Sequence, residues 1–455
     1  MIAAWTRARS LVRQIDGFAP PRWRRDPAWW ALIGATATLE ARGRRAAGPY
    51  LISDGGPGAD TFMGAPTPGP TDRAAWIAWA IAAAHAAVTA IDQLDGTLPD
   101  QPLAVTIARA GGAAHTRPAP DRRRVSFVLG DRVVSVGLDP RGPAHERALA
   151  DRLAATLDGR GAIEAPGPPP LVAVTVGEVA LTAAHHAHRR AWTAAGGPWL
   201  GIARTGGLTA VTTCHLAVDG FGHAALTRAI LDGLTAGLAV APRGPAGPPP
   251  PPAPAGVGEH LDVAWRALPS GGRALPLAYA LARTLATRGI AAPILQLPVA
   301  PGAVDDPARF ARRVRPAMLG LRRDPSGAVE PYPAFAERAR RAIADEAASA
   351  GVASRMLDGL RGLPLPLAVQ RRVLAGAPSR WLAGPSEALA GDACLSVLRA
   401  TAPLVAASAP PPQLPRDRGT AVVTVIAHPE GALATAATVG PWPAAALLAD
   451  LADAL

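Results

Sequence analysis

The 455-residue chain contains no lysine, only two cysteines and few aromatic residues. All 46 basic residues are therefore arginines, which gives a net charge of +11. With 47 glycines, 49 prolines and abundant alanine, this excess reads as a compositional bias. The arginines are scattered, apart from short clusters at Arg22, Arg24 and Arg25, at Arg42, Arg44 and Arg45, and at Arg122 to Arg124. A nucleic-acid-binding chain concentrates its charge in a stripe interleaved with aromatics, so no nucleic-acid partner is expected. Cys214 and Cys394 make no disulfide framework; each sits in an apolar, strand-like run where a buried free thiol is expected. The N-terminus lacks a sustained apolar core and a small-residue cleavage site, so no secretory signal is read. Ala74 to Ile91, a charge-free run near the lower length limit for a membrane span, stands without a second such run and reads as a buried helix. These absences predict a cytoplasmic protein without a transmembrane segment.

What is present is a folded composition, 49% hydrophobic, long enough for two domains. Residues 241–258, APRGPAGPPPPPAPAGVG, form a proline-rich connector and the clearest boundary in the chain. The division is residues 1–240, a linker at 241–258, and residues 259–455. In the first part a helical Trp/Arg region occupies about the first fifty residues, with Trp23, Trp29 and Trp30 close together. Such clusters mark an interface or a membrane-surface contact, or arginine stems lying on an aromatic at the edge of a core. Then come a Gly/Pro loop over Asp54 to Pro70, the helix from Asp72 to Asp92, a hairpin of Arg124–Leu129 and Val133–Leu138, a helix over Pro143–Leu157, a strand over Leu171–Val176 and a helix over Glu178–Ala194. The second part reads as a helix over Leu275–Arg288, a strand over Ala292–Ala300 and amphipathic helices over Asp305–Arg323 and Tyr332–Ala350. A proline-broken turn starts Leu363–Leu374, and a strand over Ala393–Arg399, a hairpin of Ala421–Ala427 with Ala432–Val439, and a closing helix from Pro443 follow.

One stretch carries chemistry. A β-rich run from Leu208 to Cys214 leads into His215-Leu216-Ala217-Val218-Asp219-Gly220, and an Ala/Leu helix pattern follows. A turn between strand and helix presents one side chain from a rigid frame. Histidine is the residue best poised to take and return a proton near neutral pH. Asp219 acts on the imidazole or fixes the turn through an ion pair, and Gly220 and Gly222 allow close approach of the backbone to a ligand. The plain alternative is a strand-to-helix turn with a satisfied core histidine and an aspartate cap. His185, His186 and His188 invite a metal reading, but only His185 and His188 share a helix face and no cysteine completes a tetrahedral set, so no metal site is expected. His223, one turn past Asp219, fits either a pocket lining or an exposed surface.

HLAVDG between a strand and an amphipathic helix resembles the HxxxDG signature of the chloramphenicol acetyltransferase-like superfamily. That group includes dihydrolipoyl acyltransferases, peptide-synthetase condensation domains and wax ester synthase/diacylglycerol acyltransferases. Several members carry a second histidine, where this chain has Cys214. The resemblance extends as an order of elements over residues 170 to 455. It implies an α/β (α+β) fold of two lobes, each a mixed β-sheet flanked by helices, with a tunnel between them. It also implies His215 as general base in acyl transfer from a coenzyme A or carrier-phosphopantetheine thioester to a hydroxyl, amine or thiol, with no permanently bound cofactor. Asp219 would hold the turn through an arginine, and Gly220 would open a helix toward the reacting carbonyl. Ser396, in the ACLSVLR strand where relatives carry Ser-Asn, would contact the substrate; Val397 stands at the asparagine. A basic surface would suit an acidic carrier protein. The absence of lysine leaves no lipoyl attachment point, which disfavours the dihydrolipoyl type. The PLW-type motif of the wax ester group is not evident, and the first 110 residues match poorly. These departures leave a second reading, an acyltransferase-like module that binds or docks without turnover.

Overall fold

The computed structural model describes residues 2–16, 23–25, 27–42, 51–54, 60–93, 106–109, 114–116, 121–138, 143–160, 170–180, 200–214, 220–252, 262–269, 272–299, 315–361, 392–408 and 419–455. The expected α/β architecture of two mixed sheets flanked by helices is present. The seven-stranded sheet runs β14-β2-β9-β8-β7-β5-β6 and the six-stranded sheet β10-β16-β15-β13-β11-β12. In chain order the first comprises β2 (Asp60–Pro66), β5 (Asp121–Leu129), β6 (Arg132–Gly137), β7 (Pro170–Glu178), β8 (Leu200–Thr205), β9 (Leu208–Cys214) and β14 (Val405–Ser408). The second comprises β10 (Asp262–Leu268), β11 (Ile294–Val299), β12 (Arg315–Gly320), β13 (Ala393–Arg399), β15 (Thr420–His428) and β16 (Gly431–Val439). Both are mixed: β7 runs parallel to β5 and β8, and β13 parallel to β11 and β15. A small third sheet joins β1 (Leu51–Asp54), β3 (Thr106–Arg109) and β4 (Ala114–Thr116).

Helices cover the outer faces. On the seven-stranded sheet lie α3 (Arg73–Gln93), α4 (Pro143–Leu157) and α5 (Gly220–Leu238). Among the described residues α3 alone is long and apolar enough to cross a membrane, but 78% of its most apolar window is buried in the protein. Its Trp76, Ile77, Trp79, Ile81 and Ile91 are core residues, each stabilising by about 2 kcal/mol through area removed from water. The helix starts where Asp72 Oδ1 accepts the Ala75 N–H at 2.8 Å, an N-cap that satisfies one orphan donor. Helix α5 approaches α3 through small residues: a Cβ on Gly233 would lie 3.1 Å from Ala86 Cβ, and one on Gly237 3.3 Å from Ala82 Cβ. The six-stranded sheet packs against α6 (Ala274–Thr287), α7 (Tyr332–Arg361) and α8 (Ala444–Asp453). Asp262 at the start of β10 caps α8 by accepting the Ala444 N–H at 2.8 Å.

Elements cross between the two halves of the sequence. Strand β14 lies far along the C-terminal half, yet it pairs antiparallel with β2, Val405 opposite Gly64 and Ser408 opposite Thr61. It becomes the edge of the N-terminal sheet. Between the two sheets sits a shared core of Phe62, Leu208, Ala210, Val405, Ala407, Val263, Leu433 and Ala437. At the other end of the chain, α1 (Ile2–Asp16) packs on α2 (Pro27–Ala41), and α2 lies along α7. The described part of the proline-rich segment, 241–252, lies against α3: the Arg73 N–H donates to Gly247 O at 3.2 Å, and a Cβ on Gly244 would sit 2.6 Å from Ile77 Cδ1.

Three expectations are corrected. The Gly/Pro loop over Asp54 to Pro70 contains β2, and the helix expected through Arg323 gives way to β12 over Arg315–Gly320. Strand β2 is buried on both faces, with Phe62 toward one core and Met63 toward another, so its sequence carries no polar alternation. Strand β12 is an edge, where Pro316 is tolerated opposite Pro298 because no neighbour needs its N–H. The helix expected over Glu178–Ala194 does not start there: Glu178 is the last residue of β7, and the Val179 N–H donates to Arg204 O of β8 at 2.8 Å, so the chain is still held at the strand edge. Residues 181–194 and the turn over 363–374 lie outside the described residues.

An ion pair fixes the start of α3 to the end of α4. Asp158 accepts from Arg73 at 2.7 Å and from Arg160 at 2.6 Å, and these hydrogen bonds hold its carboxyl down at about 2 from the usual 3.8. A depressed carboxylate contributes stability that is complete above the unfolded value and disappears as the pH falls through the folded one. The expected outcome is that Asp158→Asn flattens the acid limb of the stability profile between about pH 4 and pH 2 while leaving the neutral plateau shape unchanged. Denaturant melts across that window check it; an acid limb unchanged in the variant contradicts it.

Candidate active site

Strand β9 ends at Cys214, paired with Asp60 of β2, and α5 opens at Gly220. The connecting residues 215–219, which include the expected base His215 and the expected turn residue Asp219, lie outside the described residues, as do His185, His186 and His188. The frame that delivers the segment is well defined. Glycines 206 and 207, at φ 52° and 80°, make the left-handed two-residue turn that starts β9 back along β8. Leu208, Ala210 and Val211 of β9 are fully buried, and so are Thr209, Thr212 and Thr213.

The polar side of that frame is a histidine that sequence spacing left without a role. His223 stands on the first turn of α5 and has no exposed surface. Its Nε2 lies 2.8 Å from Val211 O, a carbonyl that only accepts, so Nε2 carries the proton. In the neutral ring Nδ1 then accepts from the hydroxyls of Thr61 at 3.1 Å and Thr213 at 3.3 Å. One imidazole thus ties the start of α5 to β2 and β9, the strands that flank the motif turn. The signal was available in part: histidine on the inward face of an apolar helix, opposite strands rich in threonine. Removal leaves three buried polar groups without this partner and a cavity. We expect His223→Ala to destabilise by about 3 kcal/mol and to raise amide exchange at the start of α5 before the rest of the sheet. Equal exchange in both proteins would contradict the anchoring role.

At the opposite end of β8, buried Arg204 holds the passage from β2 to α3. It donates to the Thr67 hydroxyl, to Thr67 O at 2.9 Å and to the Thr209 hydroxyl at 3.0 Å. Desolvation lowers the pKa of its guanidinium, partly offset by Glu178. It lies away from the motif turn, because β8 leaves Cys214's end of the sheet and Arg204 stands opposite Thr209 at the start of β9.

Ser396 is described, on β13 opposite Thr424 of β15. Side chains alternate along a strand. Ala393, Leu395 and Val397 face the core under α6 and α8, whereas Leu398 packs with Met63, Leu404, Ala406 and Ile426 and with Ala224 and Leu231 of α5. Ser396 shares the face of Leu398. It therefore belongs to the side of the C-terminal sheet that is turned toward the helix opening at Gly220. The register extends this into a row of hydroxyls, Ser396, Thr424 and Thr435, on three adjacent strands. Thr424 and Thr435 are buried, and among the described residues Thr435 Oγ1 has no hydrogen-bond partner; nor does Nε2 of buried Gln296, on the same side of β11. These groups escaped sequence reading because polarity in a strand does not reveal which face is internal. Cys394, beside Gln296, is a free cysteine, and burial of its sulfur pushes the thiol up to about 12. It stays protonated and is no nucleophile at neutral pH. Among the described residues no cluster of three or more His, Cys, Asp or Glu has metal-holding geometry.

No family model and no curated protein matches the chain. Solved structures similar to it include the first condensation domain of the CDA synthetase, with a TM-score of 0.40, 15% identity and coverage of 93% of this chain and 94% of that one. A second is a condensation domain that mediates chain release from the enacyloxin polyketide synthase, at TM-score 0.37, 14% identity and coverage of 95% and 87%. A third is a variant of the starter condensation domain of rhizomide synthetase in complex with C8-CoA and Leu-SNAC, at TM-score 0.38, 12% identity and coverage of 87% and 88%.

Proposed function

We propose that the protein is an acyltransferase that moves an acyl group from a thioester, on coenzyme A or carrier-bound phosphopantetheine, to a hydroxyl, amine or thiol acceptor. One observation carries the reading. The HLAVDG segment joins the buried strand β9 to the start of α5, and α5 packs on the inner face of the C-terminal sheet that bears Ser396. The elements on either side of the segment thus meet the C-terminal sheet, which supports reading the segment as the base-bearing motif of a two-lobed transferase. The lobes are residues 1–240 and 259–455, joined by 241–258, with β14 exchanged into the first sheet.

In this reading the His215 imidazole takes the proton from the acceptor as its heteroatom attacks the thioester carbonyl. The carbonyl oxygen becomes an oxyanion, which backbone N–H groups over Gly220 to Gly222 and the Ser396 hydroxyl stabilise. Collapse reforms the C=O bond and breaks the C–S bond. The departing sulfur takes the proton back from the imidazolium, so no net proton is gained or lost by the enzyme. Asp219 keeps the turn in place through an arginine. The buried orphan groups of Gln296 and Thr435 suit an amide-bearing arm better than a plain acyl chain, because an apolar ligand would leave them unsatisfied.

The test is release of free thiol from acyl-coenzyme A and acyl-pantetheine thioesters of graded chain length, with alcohol, amine and thiol acceptors. Acceptor-dependent release supports transfer. Thioester binding measured by calorimetry with no release across the acceptor series favours the alternative, a module that binds without turnover.

A further inference from the structure

The N-terminal helices carry an exposed feature that the transfer reaction does not use. Residues 1–42 hold seven arginines against three carboxylates. Helix α1 turns Leu11 and Ile15 inward, and its opposite side presents Trp5, Arg9 and Arg13, four residues apart and so on one stripe. Trp5 is 62% exposed, and the Arg9 guanidinium lies 4.5 Å above its ring. Helix α2 is apolar on nearly every side, a composition that ordinarily means burial all round. Yet Pro27, Trp30, Ala31 and Gly34 form an exposed row along it. Trp30 is 46% exposed and held in place: its Nε1–H donates to Arg24 O at 2.8 Å and its ring packs, tilted by 37°, on buried Trp23 at 5.5 Å. A Cβ on Gly34 would meet nothing within 4 Å, so the row is flat and open. Exposed Arg24 and Arg25 border it.

From this arrangement we infer that the α1–α2 face docks on an anionic lipid surface. Two exposed tryptophans on an uncovered apolar row fit the boundary between headgroups and acyl chains, where indole rings concentrate. The flanking arginines match lipid phosphates with their planar forks. An acidic protein would pair with the arginines but leave the flat apolar row wet, whereas a bilayer satisfies both. The inner sides of α1 and α2 are occupied by each other and by α7, so docking requires no rearrangement of the fold.

The experiment is co-sedimentation of the full chain with vesicles of phosphatidylcholine alone and of phosphatidylcholine mixed with phosphatidylglycerol. The protein is expected to sediment with the anionic vesicles only, and less as salt rises. Each arginine near such a surface contributes about fivefold in affinity, so Arg9→Glu with Arg13→Glu is expected to weaken binding at least about twentyfold. Trp5→Ala with Trp30→Ala is expected to weaken it at unchanged salt dependence, and thermal melts of both variants report that the fold survives. Protein remaining in the supernatant with every vesicle, or variants that sediment as the parent does, overturns the inference and leaves the arginines to an acidic protein partner.

Discussion

Replacing His215 by alanine is expected to lower acceptor-dependent thiol release by roughly 10²- to 10⁴-fold, the usual contribution of a positioned general base. The melting temperature is expected to stay that of the parent, because β9 and α5 are anchored by other groups. His223 ties the start of α5 to Val211, Thr61 and Thr213, and Leu226, Ile230 and Leu234 bury the inward side of the helix. A base acting on the acceptor has a second signature. The parent rate should fall toward acid as the imidazole gains its proton, and that limb should vanish in the variant. The companion change, Asp219→Asn, is expected to hurt stability or geometry more than the chemical step, since its carboxylate is assigned to the turn. A His215→Ala protein that keeps parental turnover and the acid limb removes His215 as the base, whatever the reaction proves to be.

How far the sequence reaches can be argued from neighbouring elements. Strand β9 and the helix after it were legible because a β-branched run meets an Ala/Leu pattern across glycine, a change of period that local chemistry dictates. Helix α4 was legible to the residue, Pro143 to Leu157. Strand β2 was not, since DTFMGAP sits amid glycine and proline and its pairing partners are β9 and β14, about 150 and 340 residues away in sequence. For the same reason β14 was invisible: nothing local tells four residues of the C-terminal half to complete the N-terminal sheet. At the site, the motif and Ser396 could be read, whereas the anchoring role of His223 and the row that Thr424 and Thr435 form beside Ser396 required tertiary register. Sequence named residues with chemistry; burial and strand pairing decided which of the others support them.

The strand that sequence missed carries the second large expectation. Gly64 lies in the middle of β2, opposite Ala210 of β9 on one side and Val405 of β14 on the other. A Cβ built there falls 2.5 Å from Thr209 O and 3.1 Å from Ala210 Cα. Both are backbone atoms inside a paired sheet, so no rotamer change relieves the overlap, and the strands must separate. Gly64→Ala is therefore expected to cost about 3 kcal/mol, at the upper end for overpacking, and the loss should appear as earlier exchange of β14 and β9 amides. The same substitution at Gly34 should act with the opposite sign. That residue is exposed in α2, with nothing within 4 Å of the new methyl group, and alanine there reduces the freedom of the unfolded chain, stabilising by about 0.5 to 1 kcal/mol. Denaturant midpoints of the two variants against the parent decide the matter. If Gly64→Ala melts with the parent, β2 does not pair with β9 at this register, and the edge on which β14 closes the sheet must be redrawn. If it is destabilised while Gly34→Ala is not, the close pairing of β2 with β9 is part of what holds the site's frame together.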